Sequence, residues 1–200
     1  QNKMENTPLV VDGIMYTGTA LEAVALDAVT GRQYWKLTRP LNPQAYYNAY
    51  EVNKGFGIHG DTLFWATVDC HLIAIDTKSG RIIWDKTLVD YKNRFGQKLQ
   101  ATLTLPAGYQ PGKKYPMVVY FYELMSDTHH SFQLPPYDDR PHMATYASNG
   151  YLVLQPDVDN EIGRPGSSAV DCVTAAVKKA IELGYADPKH IGLQGHSWGG

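Results

Sequence analysis

Apolar and polar residues alternate in short stretches up to about Tyr91, and longer unbroken apolar runs take over beyond it. Ile14-Met15-Tyr16-Thr17 and Leu63-Phe64-Trp65-Ala66 each follow a turn with Asp-Gly or Gly-Asp, and each is followed by a second apolar stretch that closes on Asp27 or Asp76. Short runs between turn residues predict antiparallel strands. Past Asn93, Lys98-Leu99-Gln100-Ala101-Thr102-Leu103-Thr104-Leu105-Pro106 alternates as a half-buried strand does. Pro116-Met117-Val118-Val119-Tyr120-Phe121-Tyr122 and Tyr151-Leu152-Val153-Leu154-Gln155-Pro156 are continuous runs, suited to parallel strands covered on both faces. Ser168-x-x-Asp171 then predicts a capping box. It opens a helix through Val170, Val173, Val177, Ala180 and Ile181 that stops at Gly184. After a break at Asp187-Pro188, His190-Ile191-Gly192-Leu193-Gln194 reads as a final strand.

The first half repeats itself. Ala25-Leu26-Asp27-Ala28-Val29-Thr30-Gly31-Arg32-Gln33-Tyr34-Trp35 matches Ala74-Ile75-Asp76-Thr77-Lys78-Ser79-Gly80-Arg81-Ile82-Ile83-Trp84, with the two Asp residues 49 positions apart. Each copy is a strand, a tight Asp-x-x-Thr/Ser-Gly turn and a second strand ending in Trp. That period is the period of a propeller blade, so residues 1 to about 91 read as roughly two antiparallel blades.

This repeat resembles that of quinoprotein (PQQ-dependent) alcohol dehydrogenases. The resemblance runs from Glu5-Asn6-Thr7-Pro8-Leu9-Val10-Val11-Asp12-Gly13 through Val52-Asn53-Lys54-Gly55 to Asp90-Tyr91-Lys92. It implies pyrroloquinoline quinone (PQQ) with a calcium or lanthanide ion on the propeller axis, and it puts Glu5, Lys54 and Thr67 where that family contacts the quinone. Lys54 stands where the family usually has Arg, which loses a planar fork of donors. Asn48-Ala49 stands where many members have a vicinal cysteine pair, and the later blades that would carry metal ligands have no counterpart here. A propeller site needs a closed ring of blades. Without the resemblance, the same residues read as a turn acid, a surface charge and a β-branched strand residue.

Composition narrows the functions. The 200 residues carry a formal charge of −2, so there is no field to draw in phosphates, and nucleic acid is excluded as an expected partner. No apolar run approaches the roughly 20 residues of a membrane-spanning helix. Cys70 and Cys172 make neither a disulfide framework nor a CxxC metal pair, and both read as buried thiols. No metal site is expected in the second half.

Gly195-His196-Ser197-Trp198-Gly199-Gly200 has the G-x-S-x-G pattern of a nucleophile elbow, preceded by a buried strand, a helix and another strand. A serine hydroxyl is a weak nucleophile, and a strained turn between small residues exposes it to a base. Together with Leu105-Pro106, Lys114-Tyr115-Pro116, Ala147-Ser148-Asn149-Gly150-Tyr151 and Asp187-Pro188-x-x-Ile191-Gly192, the elbow makes residues 93 to 200 resemble the prolyl oligopeptidase family of serine peptidases. The resemblance implies a peptide substrate and an acyl-enzyme on Ser197. It implies the Trp198 N–H as one oxyanion donor and the Tyr122 hydroxyl as a second, although Glu123-Leu124 follows Tyr122 where many relatives have a glycine turn. In this fold the triad runs Ser, then acid, then His, which places both partners after Gly200. His196 is expected to pack beside the elbow. His129-His130 is expected in a solvated loop, and Asp138-Asp139 has no matching ligand spacing.

The expected fold is therefore mixed: partial β-propeller blades over residues 1–91, then the first part of an α/β-hydrolase domain over 92–200. The expected function is serine peptidase chemistry, incomplete in these residues by themselves. The alternative is a fragment of a PQQ-dependent alcohol dehydrogenase, or a composite of both. Family resemblance favours a periplasmic or secreted setting.

Overall fold

The computed structural model describes residues 6–39, 53–69, 71–129 and 141–199. The chain is mostly β-sheet with few helices, and it divides into two compact units, Gln1–Ile83 and Trp84–Gly200.

In the first unit β1 (Leu9–Val11), β2 (Ile14–Gly18), β3 (Glu22–Asp27) and β4 (Gln33–Thr38) form an antiparallel sheet in chain order. Next come β5 (Gly57–His59), β6 (Thr62–Ala66) and β7 (Leu72–Asp76), again antiparallel neighbours. The strand order is the same but the register differs by one residue: Ile14 opposes Asp27, whereas Thr62, one place before the equivalent Leu63, opposes Asp76. The repeat in the sequence is thus a repeat of blade-like sheets.

Its turns are built alike. Asp27 Oδ1 accepts the Val29 and Thr30 N–H groups at 3.1 and 2.8 Å, and Gly31 N–H donates to the Asp27 carbonyl at 2.9 Å. The Thr30 N–H first, then the Tyr34 hydroxyl, hold the Asp27 carboxyl well below the usual carboxylate range. In the second copy Asp76 Oδ1 accepts the Ser79 N–H at 2.8 Å, and Gly80 repeats the backbone bond at 2.9 Å. Trp35 couples the copies. Its indole N–H donates to the Thr77 carbonyl at 2.7 Å, and its ring lies so close to Gly80 that a Cβ there would sit 2.6 Å from Cδ2. Tyr16, Ala23, Ala25, Leu63, Trp65, Ile73 and Ile75 complete this core with Trp35.

The second unit is built on β8 (Ile82–Lys92), whose first two residues lie before the division, with β9 (Lys98–Leu105), β10 (Tyr115–Phe121), β11 (Leu152–Pro156) and β12 (Ala186–Gly195). The joint expected near Tyr91–Asn93 falls at the end of β8, which pairs antiparallel with β9 from Asp85 to Lys92. β9 runs antiparallel to β11, and β11, β10 and β12 are parallel, so the spatial order is β8-β9-β11-β10-β12. Every residue of β11 is buried, as its unbroken apolar run requires. Two helices are present among the described residues, α1 (Met143–Ser148) and α2 (Pro165–Glu182).

Three expectations from the sequence need correction. α2 starts three residues ahead of the expected capping box, at Pro165, because proline fits a first helical position that needs no N–H. Ser168 lies inside the first turn, donating to the Arg164 carbonyl at 2.9 Å, and Asp171 pairs with Arg94 at 2.9 Å. β12 begins before the Asp187-Pro188 break. Its register against β10 shifts between Tyr115 and Met117, and that irregularity accommodates a residue with no N–H to donate. His129 is 1% exposed, where a solvated loop was expected. It follows the 3₁₀ turn Met125–Thr128, which packs on β9, and its Nδ1 lies 3.2 Å from the Thr102 hydroxyl.

Candidate functional site

Two places bring the chemically interesting residues together, one in each unit. In the first, the loop entering β5 carries Asn53, Lys54 and Gly55. Asn53 is buried, and its Oδ1 accepts the Gly55 N–H at 2.8 Å. That bond fixes the other end of the amide as a donor, and Asn53 Nδ2 has no hydrogen-bond partner among the described residues. Asn6 has the opposite polarity. Its Nδ2 donates to the Gly18 carbonyl at 3.1 Å, which leaves Oδ1 a buried acceptor without a partner, 3.6 Å from where a Cβ on Gly55 would be. Next along the chain, Phe56 packs on the Trp65 ring with centroids 6.1 Å apart. Trp65 is fully buried and its Nε1–H is likewise unpartnered.

Of the residues expected to meet a quinone, Glu5 lies outside the described residues, as do Asn48, Ala49 and Cys70. Lys54 is exposed beside Asn53. The Thr67 hydroxyl turns into the chain: it donates to Asp69 Oδ1 at 2.5 Å and accepts the His71 N–H at 3.1 Å, closing the turn between β6 and β7. Asp69 Oδ2 takes the Arg39 guanidinium at 2.5 Å. Burial pushes the Asp69 carboxyl up, but the Arg39 and Thr67 hydrogen bonds together outweigh it and hold the pKa below the usual range. Sequence reading missed Asn6, Asn53 and Trp65. The adjoining Asn53-Lys54-Gly55 was the available signal, because an Asn two places before a left-handed Gly forms a local turn.

The second place is the end of β12. Phe121 of β10 opposes Gly195 of β12, so the parallel strands deliver Tyr122 and the Ser197 turn to one edge of the sheet. Ser197 has φ of 54°, in the left-handed region where an L-residue is strained. Gly199 N–H donates to the His196 carbonyl at 2.9 Å, and a Cβ on Gly199 would lie 2.3 Å from the Phe121 carbonyl oxygen, so only glycine fits. Ser197 and Trp198 are exposed; Gly200 lies outside the described residues. Tyr122 is exposed at the head of its loop.

That loop is fastened to the end of β11. Asp157 accepts the Ser126 N–H and hydroxyl on its two carboxylate oxygens, each at 2.7 Å, and the Val158 N–H donates to the Glu123 carbonyl at 2.9 Å. Burial pushes the Tyr91 hydroxyl far up in pKa, so it stays protonated and donates to the Asp157 carbonyl. Glu123-Leu124, the departure from a glycine turn, thus sits in a pinned loop.

Two of the described histidines are engaged with other groups. His190 Nδ1 meets Asp187 Oδ2 at 2.7 Å, but six residues, five of them in β12, lie between it and Ser197, roughly 20 Å at strand rise. His129 is occupied with Thr102. His130, Asp138 and Asp139 lie outside the described residues. An open groove of about 1310 Å³ runs between α2 and the β8–β9 pair, and neither Tyr122 nor Ser197 borders it. Cys172 is a buried free thiol. Among the described residues no group of three His, Cys, Asp or Glu side chains is placed to hold a metal ion, and no helix is long and apolar enough to cross a membrane.

Comparison with known proteins finds a family match over the first part of the chain. The family described as PQQ glucose/ethanol/alcohol dehydrogenase, beta-propeller domain, matches residues 1–107. The quinoprotein alcohol dehydrogenase PedH of Pseudomonas putida is 30% identical over 96 residues, covering 48% of this chain and 16% of that protein. The dehydrogenase subunit of the quinone alcohol dehydrogenase of Acetobacter aceti is 35% identical over 106 residues, covering 50% and 14%. The solved AtxE2 isopeptidase is similar with a TM-score of 0.45 at 16% identity, covering 92% of this chain and 33% of that one. The chain therefore spans about a sixth or less of the curated relatives' lengths.

Proposed function

The chain belongs to the family of PQQ glucose/ethanol/alcohol dehydrogenase β-propeller domains, and from that premise we propose that it is part of a quinoprotein alcohol dehydrogenase, working in the periplasm or outside the cell. The observation that carries this reading is the match over residues 1–107, supported by 30% and 35% identity to two quinone-dependent enzymes. The donor set agrees with it. PQQ is a planar quinone bearing three carboxylates, so it is rich in acceptors. Next to Lys54 in the chain, Asn53 keeps a buried donor with no partner among the described residues. Lys54 would hold the quinone by its positive charge, as a point donor where Arg would offer a fork. When bound with its calcium or lanthanide ion, the quinone supplies the two-electron oxidation of an alcohol to an aldehyde. The turn that contains Thr67 and Asp69 supports the blade on which Lys54 stands.

Titrating the protein with PQQ in the presence of calcium is expected to give a saturable change in quinone absorbance, reduced in Lys54→Ala. A flat titration of the parent protein overturns the reading.

A second reading concerns the other unit. Ser197 in the left-handed region, with Gly199 packed against the Phe121 carbonyl, supports a nucleophile elbow, and the parallel β11, β10 and β12 leading to it support an α/β-hydrolase arrangement. On this reading Ser197 Oγ bonds to a peptide carbonyl carbon, the C–N bond then breaks, and the amine leaves carrying the proton taken from the serine, which gives an acyl-enzyme. The Trp198 N–H and the Tyr122 hydroxyl donate to the oxyanion, and each such donor contributes about 3 kcal/mol to the transition state. The base and its orienting acid come from outside the described residues. A fluorophosphonate probe should label the parent and spare Ser197→Ala. Labelling that is equal in both, or absent from both, removes Ser197 from consideration.

A further inference from the structure

Tyr122 can serve an oxyanion on Ser197 only if the loop that carries it keeps one place, and none of residues 122–128 is buried. Apolar packing therefore does little to hold this loop. Its sequence, Tyr122-Glu123-Leu124-Met125-Ser126-Asp127-Thr128, has no proline or glycine to set its course, and Leu124, Ser126 and Asp127 border the open groove. Hydrogen bonds hold it instead, and the shortest come from Asp157. That residue is 5% exposed, directly after β11. Its backbone is fixed on both sides: the N–H donates to the Gln100 carbonyl of β9 at 2.9 Å, and the carbonyl accepts the Tyr91 hydroxyl of β8. Only the carboxylate is left to act, and both of its oxygens go to the loop, one to the Ser126 N–H and one to the Ser126 hydroxyl, each at 2.7 Å. Hydrogen bonds to an ionised acceptor are about twice as strong as neutral ones. The neighbouring Val158 N–H adds a bond to the Glu123 carbonyl at 2.9 Å. At the other end of the loop, Gly199 packs against the carbonyl of Phe121, the residue before Tyr122. Tyr122 thus stands between the elbow and the Asp157 clamp.

We propose that Asp157 is a positioning residue for the oxyanion site: through Ser126 it fixes the loop over residues 122–128 and so keeps the Tyr122 hydroxyl beside Ser197. The proposal rests on the serine-peptidase reading of this unit. Asp157 acts through Ser126 and Tyr122 and makes no contact with the substrate itself. A serine or asparagine in its place could accept one of the two bonds; the carboxylate accepts both.

The test is the rate at which the full chain reacts with a fluorophosphonate. In that reaction the Ser197 Oγ–P bond forms, the P–F bond breaks, and the serine proton and fluoride are released. A phosphonyl oxygen occupies the oxyanion site during the step, so the rate reads the donors there. Tyr122→Phe is expected to slow labelling about 100-fold. Asp157→Ala, which frees the loop, should slow it about tenfold or more. Asp157→Asn and Ser126→Ala should fall between parent and Asp157→Ala, because each keeps one of the two bonds. The deciding comparison repeats the Asp157 changes in the Tyr122→Phe background, where their effect should drop below about twofold because the hydroxyl they position is gone. An equal loss in both backgrounds marks a merely structural role and overturns the proposal. Should Asp157→Ala fail to fold, Asp157→Asn and Ser126→Ala carry the same comparison. Variants labelled at the parent rate overturn the proposal too, with the peptidase reading left standing. A parent that is not labelled overturns both.

Discussion

Replacing Gly80 by alanine is expected to destabilise the first unit by about 3 kcal/mol, whereas the same change at Gly31 costs about 1 kcal/mol. The two glycines occupy equivalent places in the repeat and share a φ of 71°, so the backbone strain imposed on alanine is the same. They differ in what stands over them. A Cβ at Gly31 meets nothing within 4 Å, but at Gly80 it would lie 2.6, 2.7 and 2.9 Å from Trp35 ring atoms. The ring has nowhere to retreat, because it is 8% exposed and its N–H is held on the Thr77 carbonyl at 2.7 Å. Overpacking of this kind adds about 1–3 kcal/mol to the strain. In a domain whose whole stability is of order 5–15 kcal/mol, that is a large share. Urea unfolding followed by tryptophan fluorescence measures it. Equal losses at the two positions would mean that Trp35 does not lock the repeats together.

Lys86→Met should raise stability at neutral pH by about 2 kcal/mol and abolish a rise in stability between about pH 8 and 10.5. Lys86 is 9% exposed on β8, opposite Thr104. Its ammonium donates to the Thr128 carbonyl at a long 3.3 Å. Burial pushes its pKa down to about 8 from 10.5. The folded protein therefore releases this proton more readily than the unfolded chain. Below pH 8 both states are charged, and the folded state bears the full cost of burying the ammonium. From pH 8 to 10.5 the folded state becomes neutral while the unfolded chain stays charged, so the cost fades. Each pH unit between the two values corresponds to about 1.4 kcal/mol, giving about 3 kcal/mol before water reaching the ammonium is allowed for. Methionine keeps the straight apolar stem. The difference in urea midpoint between variant and parent, followed from pH 7 to 11, should close as pH rises; a constant difference would show that Lys86 is effectively solvated.

The repeat was legible because its signals are local. Asp27 and Asp76 bond to N–H groups two and three residues on, and Gly31 and Gly80 supply the left-handed turn, so both copies could be aligned by eye. The unbroken apolar runs likewise located β10 and β11 to within a residue. The start of α2 was misplaced because Gly166-Ser167-Ser168 has the composition of a loop, and packing of Cys172, Val173, Ala176 and Ala180 in the core overrides that local preference. His129 shows the same limit: a polar stretch reads as solvated, yet its imidazole is buried and meets the Thr102 hydroxyl of β9.

For the sites the division is sharper. The residues in their order were enough to reveal the blade period, the family resemblance that the match over residues 1–107 upholds, and Ser197 between glycines. Those features depend on spacing along the chain. Packing alone decided that β11 enters between β9 and β10, that Phe121 meets Gly195 so that Tyr122 stands by the elbow, and that Gly199 has no room for a Cβ. It also decided that Thr67 turns inward while Asn53 and Trp65 bury donors without a partner among the described residues. Whether a polar atom is satisfied depends on which distant segments surround it, and the order of residues does not carry that information.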